Sequence, residues 1–193
     1  MDTVLPVAAD NTMFYLYLVI GIIGIAIIGF FVYEAIVPNE HKAILEATPI
    51  FKTYESVTKL APMGCPQTPA YRLCDYYIAS SSYSLFPASD VYDYISDKVL
   101  PMVIKAGARL VELDVYADSN DKPVVGLKNQ KLGTDYAYNT VPLSACLTSI
   151  GNNAFNSISC PVSSDPFILS LVFHTNKTTV INAAAELIKE SEL

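Results

Sequence analysis

Arg109-Leu110-Val111-Glu112-Leu113-Asp114-Val115-Tyr116 (RLVELDVY, residues 109–116) alternates apolar and polar character in a way only a strand uses. Successive side chains of a strand point to opposite faces. Val111, Leu113 and Val115 therefore share one face, and Leu110, Glu112, Asp114 and Tyr116 the other. The first set predicts the face turned to the core. The second places two carboxylates two positions apart, near the C-terminal end of the strand, where they can hold a divalent cation such as Ca²⁺. Two plainer readings stand beside that one: a solvated face, or Glu112 paired with Arg109 or a lysine.

On either side of this strand the pattern continues to alternate. Upstream, Tyr76 to Ser80 (YYIAS) is a short apolar run suited to a strand, and a helix follows from about Asp90 to Lys105, broken or kinked at Pro101 and ended by Gly107. Downstream come a turn at Asp118-Ser119-Asn120-Asp121, a short strand at Pro123 to Val125, and a helix over Val141 to Phe155 with Pro142 in its first turn. Phe167 to His174 (FILSLVFH) reads as a buried strand, and Thr178 or Thr179 can cap a last helix running to about Lys189. The order strand, helix, strand, strand, helix, strand, helix predicts an α/β domain with a mostly parallel sheet covered by helices.

A different physics governs the N-terminal part. The chain has 193 residues, 52% of them hydrophobic, a mean hydropathy of +0.35 and a net charge of -7. Much of that bias lies in one uncharged segment. Phe14 opens it; Leu16, Leu18, Val19, Ile20, Ile22, Ile23, Ile25, Ala26, Ile27 and Ile28 fill it; Phe30, Phe31 and Val32 close it. Such a run covers the roughly 30 Å of a bilayer's hydrocarbon core when helical. It has no polar face, as a core helix would, and no basic leader, as a signal peptide would. Gly21, Gly24 and Gly29 do not form the GxxxG spacing that pairs such helices. Lys42 and Lys52 follow the segment and no Lys or Arg precedes it, so the positive-inside bias places the C-terminal part in the cytosol.

The sequence thus divides into an N-terminal tail (1–12), a membrane helix (13–37), a juxtamembrane segment (38–70) and a folded domain (71–193). The juxtamembrane segment holds a short helix over His41 to Ala47 before Pro49, then a linker with three prolines and a glycine from Pro62 to Pro69. Cys65, Cys74, Cys146 and Cys160 show no metal-ligand spacing. With only His41 and His174 beside them, free thiols are expected, with Cys65 to Cys74 a disulfide if the orientation is reversed. An acidic chain without basic clusters excludes nucleic acid as the main partner.

YYIASSS (76–82), GARLVELD (107–114), KPVV (122–125) and PFILSLVFH (166–174) together resemble, in order and spacing, the X region of phosphatidylinositol-specific phospholipase C, over roughly residues 71 to 188. The resemblance implies a distorted TIM barrel, of which about 120 residues make only part, since a complete barrel takes about 250. It also implies cleavage of an inositol phospholipid by two histidines and a Ca²⁺ held by an Asn, two Glu and an Asp. Carried over position by position, the first histidine falls on Ser82 and the metal-binding Asn on Tyr83. The second histidine falls on Leu127, and the last Glu on Val172. Glu112 and Asp114 are kept.

Ser82 cannot take a proton unaided at neutral pH, and Leu127 has none to exchange. His174 matches a strand-end position that the family keeps without an acid–base role. The resemblance therefore implies a phospholipase C-like domain without its catalysis and without a cofactor, Ca²⁺ being bound weakly at most through Glu112 and Asp114. Such a domain is a structural or interaction module whose partners are the bilayer and a protein. With the anchor, it further implies a minor virion protein of a large DNA virus, tethering an internal membrane to the capsid; a second copy is the other protein partner considered. Two other functions remain open: a phosphodiesterase with a rearranged site on Glu112, Asp114 and His174, and a module that binds lipid headgroups through Lys128 and Lys131. The sequon Asn176-Lys177-Thr178 would go unused in a cytosolic domain.

Overall fold

The structure, a computed structural model, describes residues 12–36, 39–57, 72–87, 92–129, 134–160 and 162–191. The Pro-rich linker, Cys65 and Lys131 lie outside these. The chain forms two compact units, Met1–Pro38 and Asn39–Leu193.

The first unit contains helix α1 (Thr12–Ile36), and its segment Met13–Tyr33 has a mean hydropathy of 2.6 with none of it buried against protein. By length and composition it can cross a bilayer.

The second unit opens with α2 (Glu40–Val57), which is longer than the short helix expected before Pro49. Proline removes the bond to the carbonyl four residues back, that of Leu45, on an exposed part of the helix. Ala43 and Ala47 are buried, and tertiary packing overrides the local break. The helix lies in the same compact unit as the domain.

A 3-10 turn (Leu73–Asp75) leads to β1 (Ser80–Ser81), followed by α3 (Val99–Lys105), β2 (Leu110–Ala117) and β3 (Pro123–Val125). A small hairpin of β4 (Lys128–Asn129) and β5 (Thr134–Asp135) comes next. Then follow β6 (Val141–Pro142), α4 (Leu143–Ala154), β7 (Ile168–Phe173) and α5 (Thr178–Glu190). Helix α3 is much shorter than the 90–105 expected. Tyr92 to Ser96 is instead held extended: the Ile95 N–H donates to Asn139 Oδ1, and Asn139 Nδ2 donates to the Ile95 carbonyl. Pro101 does not kink α3, because it lies in the first turn, where an N–H has no helical partner. Gly107 does end it, at φ 108°. The N–H of Gly107 reaches the Ile104 carbonyl and that of Ala108 the Val103 carbonyl, the paired bonds of a Schellman motif. Pro142 lies just before α4 and Lys177 just before α5, so neither expected cap position, Thr178 or Thr179, is used.

The sheet is mixed and not mostly parallel. β1 and β7 run parallel to β2, whereas β3 is antiparallel to β2 and β6 antiparallel to β3. The antiparallel half arises because β3 follows β2 after a turn of five residues, too short for a crossover helix. Leu110 and Val111 pair with β1 and β7 at once, and Val115 with β3 and β7, so β2 is central. Its Val111, Leu113 and Val115 are fully buried in one core with Val99, Leu100 and Ile104 of α3 and Leu143, Leu147 and Ile150 of α4.

Arg109 fixes the start of β2. Its guanidinium is buried, 6% exposed, and lies between the rings of Phe155 and Phe167 at 5.5 and 5.3 Å. It donates to the carbonyls of Ala154 (2.6 Å), Pro166 (3.3 Å) and Asp165, and to Cys160 Sγ at 3.2 Å. Ala154 is the last residue of α4, so the cation also meets the negative end of that helix.

Two tests follow from this packing. Arg109→Met strands three carbonyls, each costing about 1–3 kcal/mol, and should lower unfolding stability by about 3–5 kcal/mol in thermal melts of the detergent-solubilised chain. Lys177→Met, which breaks only the exposed pair with Asp121, should cost under about 1 kcal/mol. Cys146 is buried in the core, and burial, reinforced by the charge of Asp97, pushes its thiol from 9.0 up to about 12. At neutral pH iodoacetamide should therefore label exposed Cys74 and leave Cys146 unmodified until the chain unfolds, as site-resolved mass spectrometry would read.

Candidate functional site

The polar face of β2 decides where chemistry could reside. Glu112 and Asp114 project from it, and in the parallel register Asp114 stands opposite Val172 of β7 while Glu112 stands opposite Ser170. Two loops approach the same end. The turn after β1 carries Ser82 and Tyr83, and Tyr83 is at φ 51°, in the left-handed region that Asn tolerates and a bulky residue avoids. The segment after β3 carries Leu127, tied to β2 by the Gly126 N–H donating to the Asp114 carbonyl at 3.1 Å.

Tyr83, Glu112, Asp114 and Leu127 thus come to line one cleft, together with Phe86 and Ile95. Val172 lies beside Asp114 across the sheet. Ser82 precedes Tyr83 in the turn but is not among the residues lining the cleft, and its side chain is exposed. The open space is about 10 Å³, room for roughly one water molecule, whereas ligand clefts run to roughly 300–1,000 Å³. Leu127 is buried and joins the core cluster that holds Leu113 and Val115.

The Asp114 carboxylate has a partner that its spacing in the sequence does not reveal. His174 Nε2 lies 2.5 Å from Asp114 Oδ1, both side chains being largely buried at 15% and 12% exposure. The His174 N–H, continuing the β7 ladder, donates to the Val115 carbonyl, which sets the ring beside β2. That ring stacks on Tyr116, with centroids 4.6 Å apart and planes 12° from parallel, and Lys128 Nζ lies over the Tyr116 ring, 5.4 Å from its centroid. A chain of Asp114, His174, Tyr116 and Lys128 results, with opposite charges at its ends and rings between them. Tyr116 and His174 each lie two positions beyond Asp114 and Val172, and the pairing of those two in the register is what brings the group together.

Among the described residues, no group of three or more His, Cys, Asp or Glu is arranged to hold a metal ion. Glu112 and Asp114 supply two carboxylates on one face, and the second of them is engaged by an imidazole. Two carboxylates fall well short of the six to eight oxygens that Ca²⁺ takes, so the donor set does not fit a tightly held calcium ion.

A model of the family described as phosphatidylinositol-specific phospholipase C, X domain, matches residues 70–191. Among solved structures, PLC21 of L. pealei is similar at 19% identity and a TM-score of 0.49, and PLC21 of S. officinalis at 18% and 0.46. In each case 63% of this chain is covered, and the chain spans only 14% of the length of the matched structure. No curated protein matches. The family match covers more than half of the 193 residues, so through residues 70–191 the chain belongs to the phosphatidylinositol-specific phospholipase C X-domain family.

Proposed function

We propose that this chain is a membrane-anchored X domain that does not hydrolyse inositol lipids and serves as a structural or interaction module on the cytosolic side of a bilayer. The observation that carries this reading is the content of the cleft. Where the family resemblance puts an acid–base histidine, Leu127 is packed into the core. Where it puts the other, Ser82 has no titrating group near neutral pH. Attack of an inositol hydroxyl on phosphorus needs one group to remove a proton and another to assist the leaving oxygen, each contributing typically about 10²–10⁴ in rate.

The one histidine at the site, His174, has its Nε2 against Asp114 and its ring against Tyr116. This favours a role in joining β7 to β2 over one in proton transfer. Anchoring is supported by the composition of α1. The partner on this reading is a protein, either a capsid or other structural protein of a virion with an internal membrane, or a second copy of the chain. Strand β7 gives such a partner an uncharged edge. An active phosphodiesterase rebuilt on Glu112, Asp114 and His174 is the competing reading, and the short His174–Asp114 contact is the observation in its favour.

The two are separated by assaying the full-length purified chain on vesicles containing phosphatidylinositol, with and without Ca²⁺. Release of inositol phosphate should not exceed the protein-free blank in either condition. Millimolar Ca²⁺ should leave the melting midpoint where it was, since only a ligand bound to the folded state raises it. Turnover that disappears in a Glu112→Gln, Asp114→Asn double variant would overturn the proposal. For the virion assignment the measurement is fractionation: the chain should copurify with the inner membrane of particles, and recovery from host membranes alone would sink that part.

A further inference from the structure

Strand β7 (Ile168–Phe173) is hydrogen-bonded along one edge. The Ile168 N–H donates to the Arg109 carbonyl and the His174 N–H to the Val115 carbonyl, so the even-numbered residues of β7 turn their backbone groups to β2. Leu169, Leu171 and Phe173 turn theirs to the opposite edge. Among the described residues no strand pairs there and no hydrogen bond reaches those groups.

Sheets commonly blunt such an edge with a lysine, a proline or a bulge. Ile168-Leu169-Ser170-Leu171-Val172-Phe173 carries neither residue, and its register against β2 runs unbroken. In that register Leu169, Leu171 and Phe173 share the face of Val111, Leu113 and Val115. The three residues of β2 are fully buried, whereas those of β7 are only partly covered. The bare edge and the half-covered apolar row coincide.

The residues that bracket β7 select what fits against it. Asp165 precedes the strand and Lys177 follows it. A second copy running antiparallel, about a two-fold axis normal to the sheet, keeps both apolar rows on one face. It also sets the acidic end of each strand beside the basic end of the other. A copy running parallel, about an axis along the strands, puts the apolar rows on opposite faces and brings like charges together.

The backbone narrows the register further. Outward groups belong to odd-numbered residues, so odd must face odd. With Leu171 on the axis, Leu169 faces Phe173 of the other copy and Asp165 faces Lys177 of the other copy. Each facing pair of odd residues then exchanges both of its hydrogen bonds. Lys177 already meets Asp121, and its ammonium has donors for both carboxylates.

We propose that two copies of this chain pair antiparallel through the outer edges of their β7 strands, with Leu171 at the two-fold axis. The contact is isologous and closes at the dimer, so it covers the edge without starting a fibre. It names the protein partner that the proposed function leaves open, and as the role of the module it rests on that reading.

Cross-linking tests the register. With Cys65→Ser and Cys74→Ser, the remaining thiols, Cys146 and Cys160, are buried. Into that full-length background go Ser170→Cys, Val172→Cys and, as a control on exposed α4, Thr148→Cys. In the proposed register Ser170 faces Val172 of the other copy in a non-hydrogen-bonded pair, with Cα atoms about 4.5 Å apart, where a disulfide closes. The two copies of Ser170 lie on a diagonal of roughly 7–8 Å, too far for one. The variants are purified in detergent, mixed in pairs and oxidised, and linked dimer is read on non-reducing gels.

The expected result is a linked dimer from Ser170→Cys mixed with Val172→Cys, well above either variant alone and above Thr148→Cys. Ser170→Lys sets its charge opposite Glu112 of its own sheet, so the fold is kept, while two lysines flank the axis. Its mass by light scattering should shift toward the monomer with no fall in melting midpoint. A wild-type chain that is monomeric throughout a concentration series overturns the proposal. So does a dimer that Ser170→Lys leaves intact, which another surface holds, and so does equal linking at all positions. Hydrolysis of phosphatidylinositol by the linked dimer would defeat the module reading and the role assigned to the pairing with it. A monomer that releases no inositol phosphate defeats the pairing alone.

Discussion

Strand β2 is hydrogen-bonded along both edges, and a slip of one residue would exchange Val111, Leu113 and Val115 in the core for Glu112 and Asp114. Burying two carboxylates without partners costs several kcal/mol each, so the register is fixed before any question of function arises. From that register the rest is placed. β7 runs along the strand from Leu110 to Val115, β1 meets its start and β3 its end, and α3 and α4 cover the apolar face. Arg109 secures the same strand at its base by tying together the end of α4 and the segment before β7. Its donors go to backbone carbonyls and a thiol, and two phenylalanine rings shield it. The charge is therefore stabilised by dipoles and π faces, and its position depends on the loop from Phe155 to Phe167 being folded.

The polar face of β2 is the remainder of this arrangement. Because the alternation that buries the valines also turns Glu112 and Asp114 away from the core, the fold presents two carboxylates at a strand's C-terminal end whether or not they are used. Here one of them meets an internal cation-forming group. His174 Nε2 lies 2.5 Å from Asp114 Oδ1, and Leu127, part of the core cluster, lines the same cleft. Tyr83 retains a left-handed backbone, the conformation an Asn adopts readily and a tyrosine reluctantly. On the proposed reading the loop keeps the shape of a metal-binding turn after the residue that suited it has changed.

How much of this could be read in advance differs from element to element, for physical reasons. The alternation of 109–116, the length of 14–33 and the left-handed stop at Gly107 are properties of a few consecutive residues, and each was legible. The extended path of Tyr92 to Ser96 was not, because it depends on Asn139, more than forty positions away, replacing a strand partner with its side-chain amide. The same holds for α2, where the break at Pro49 is overridden by packing of Ala43 and Ala47, and for the mixed sheet, whose antiparallel half follows from a short turn and not from strand composition. At the site, the convergence of Tyr83, Glu112, Asp114 and Leu127 was accessible through family resemblance. The His174–Asp114 contact and the stacking on Tyr116 needed the register of β7 against β2.

On the proposed reading, that register also explains how a fold of this kind outlasts its chemistry. A working site would keep polar groups at positions 82, 127 and 172, each desolvated and each demanding partners, and such groups weaken the structure around them. Leu127 instead adds apolar surface to the core, and Val172, opposite Asp114 in the register, brings no polar group to desolvate. The largely buried carboxylate of Asp114 has its partner within the fold, His174 Nε2 at 2.5 Å. At Leu127 the proposed change exchanges reactivity for packing, whereas at Tyr83 the left-handed backbone is kept at the cost of strain. Selection that acts only on holding a folded module at a bilayer would retain Arg109, Gly107 and the valines of β2, which the fold requires, and would leave the catalytic positions free to follow stability.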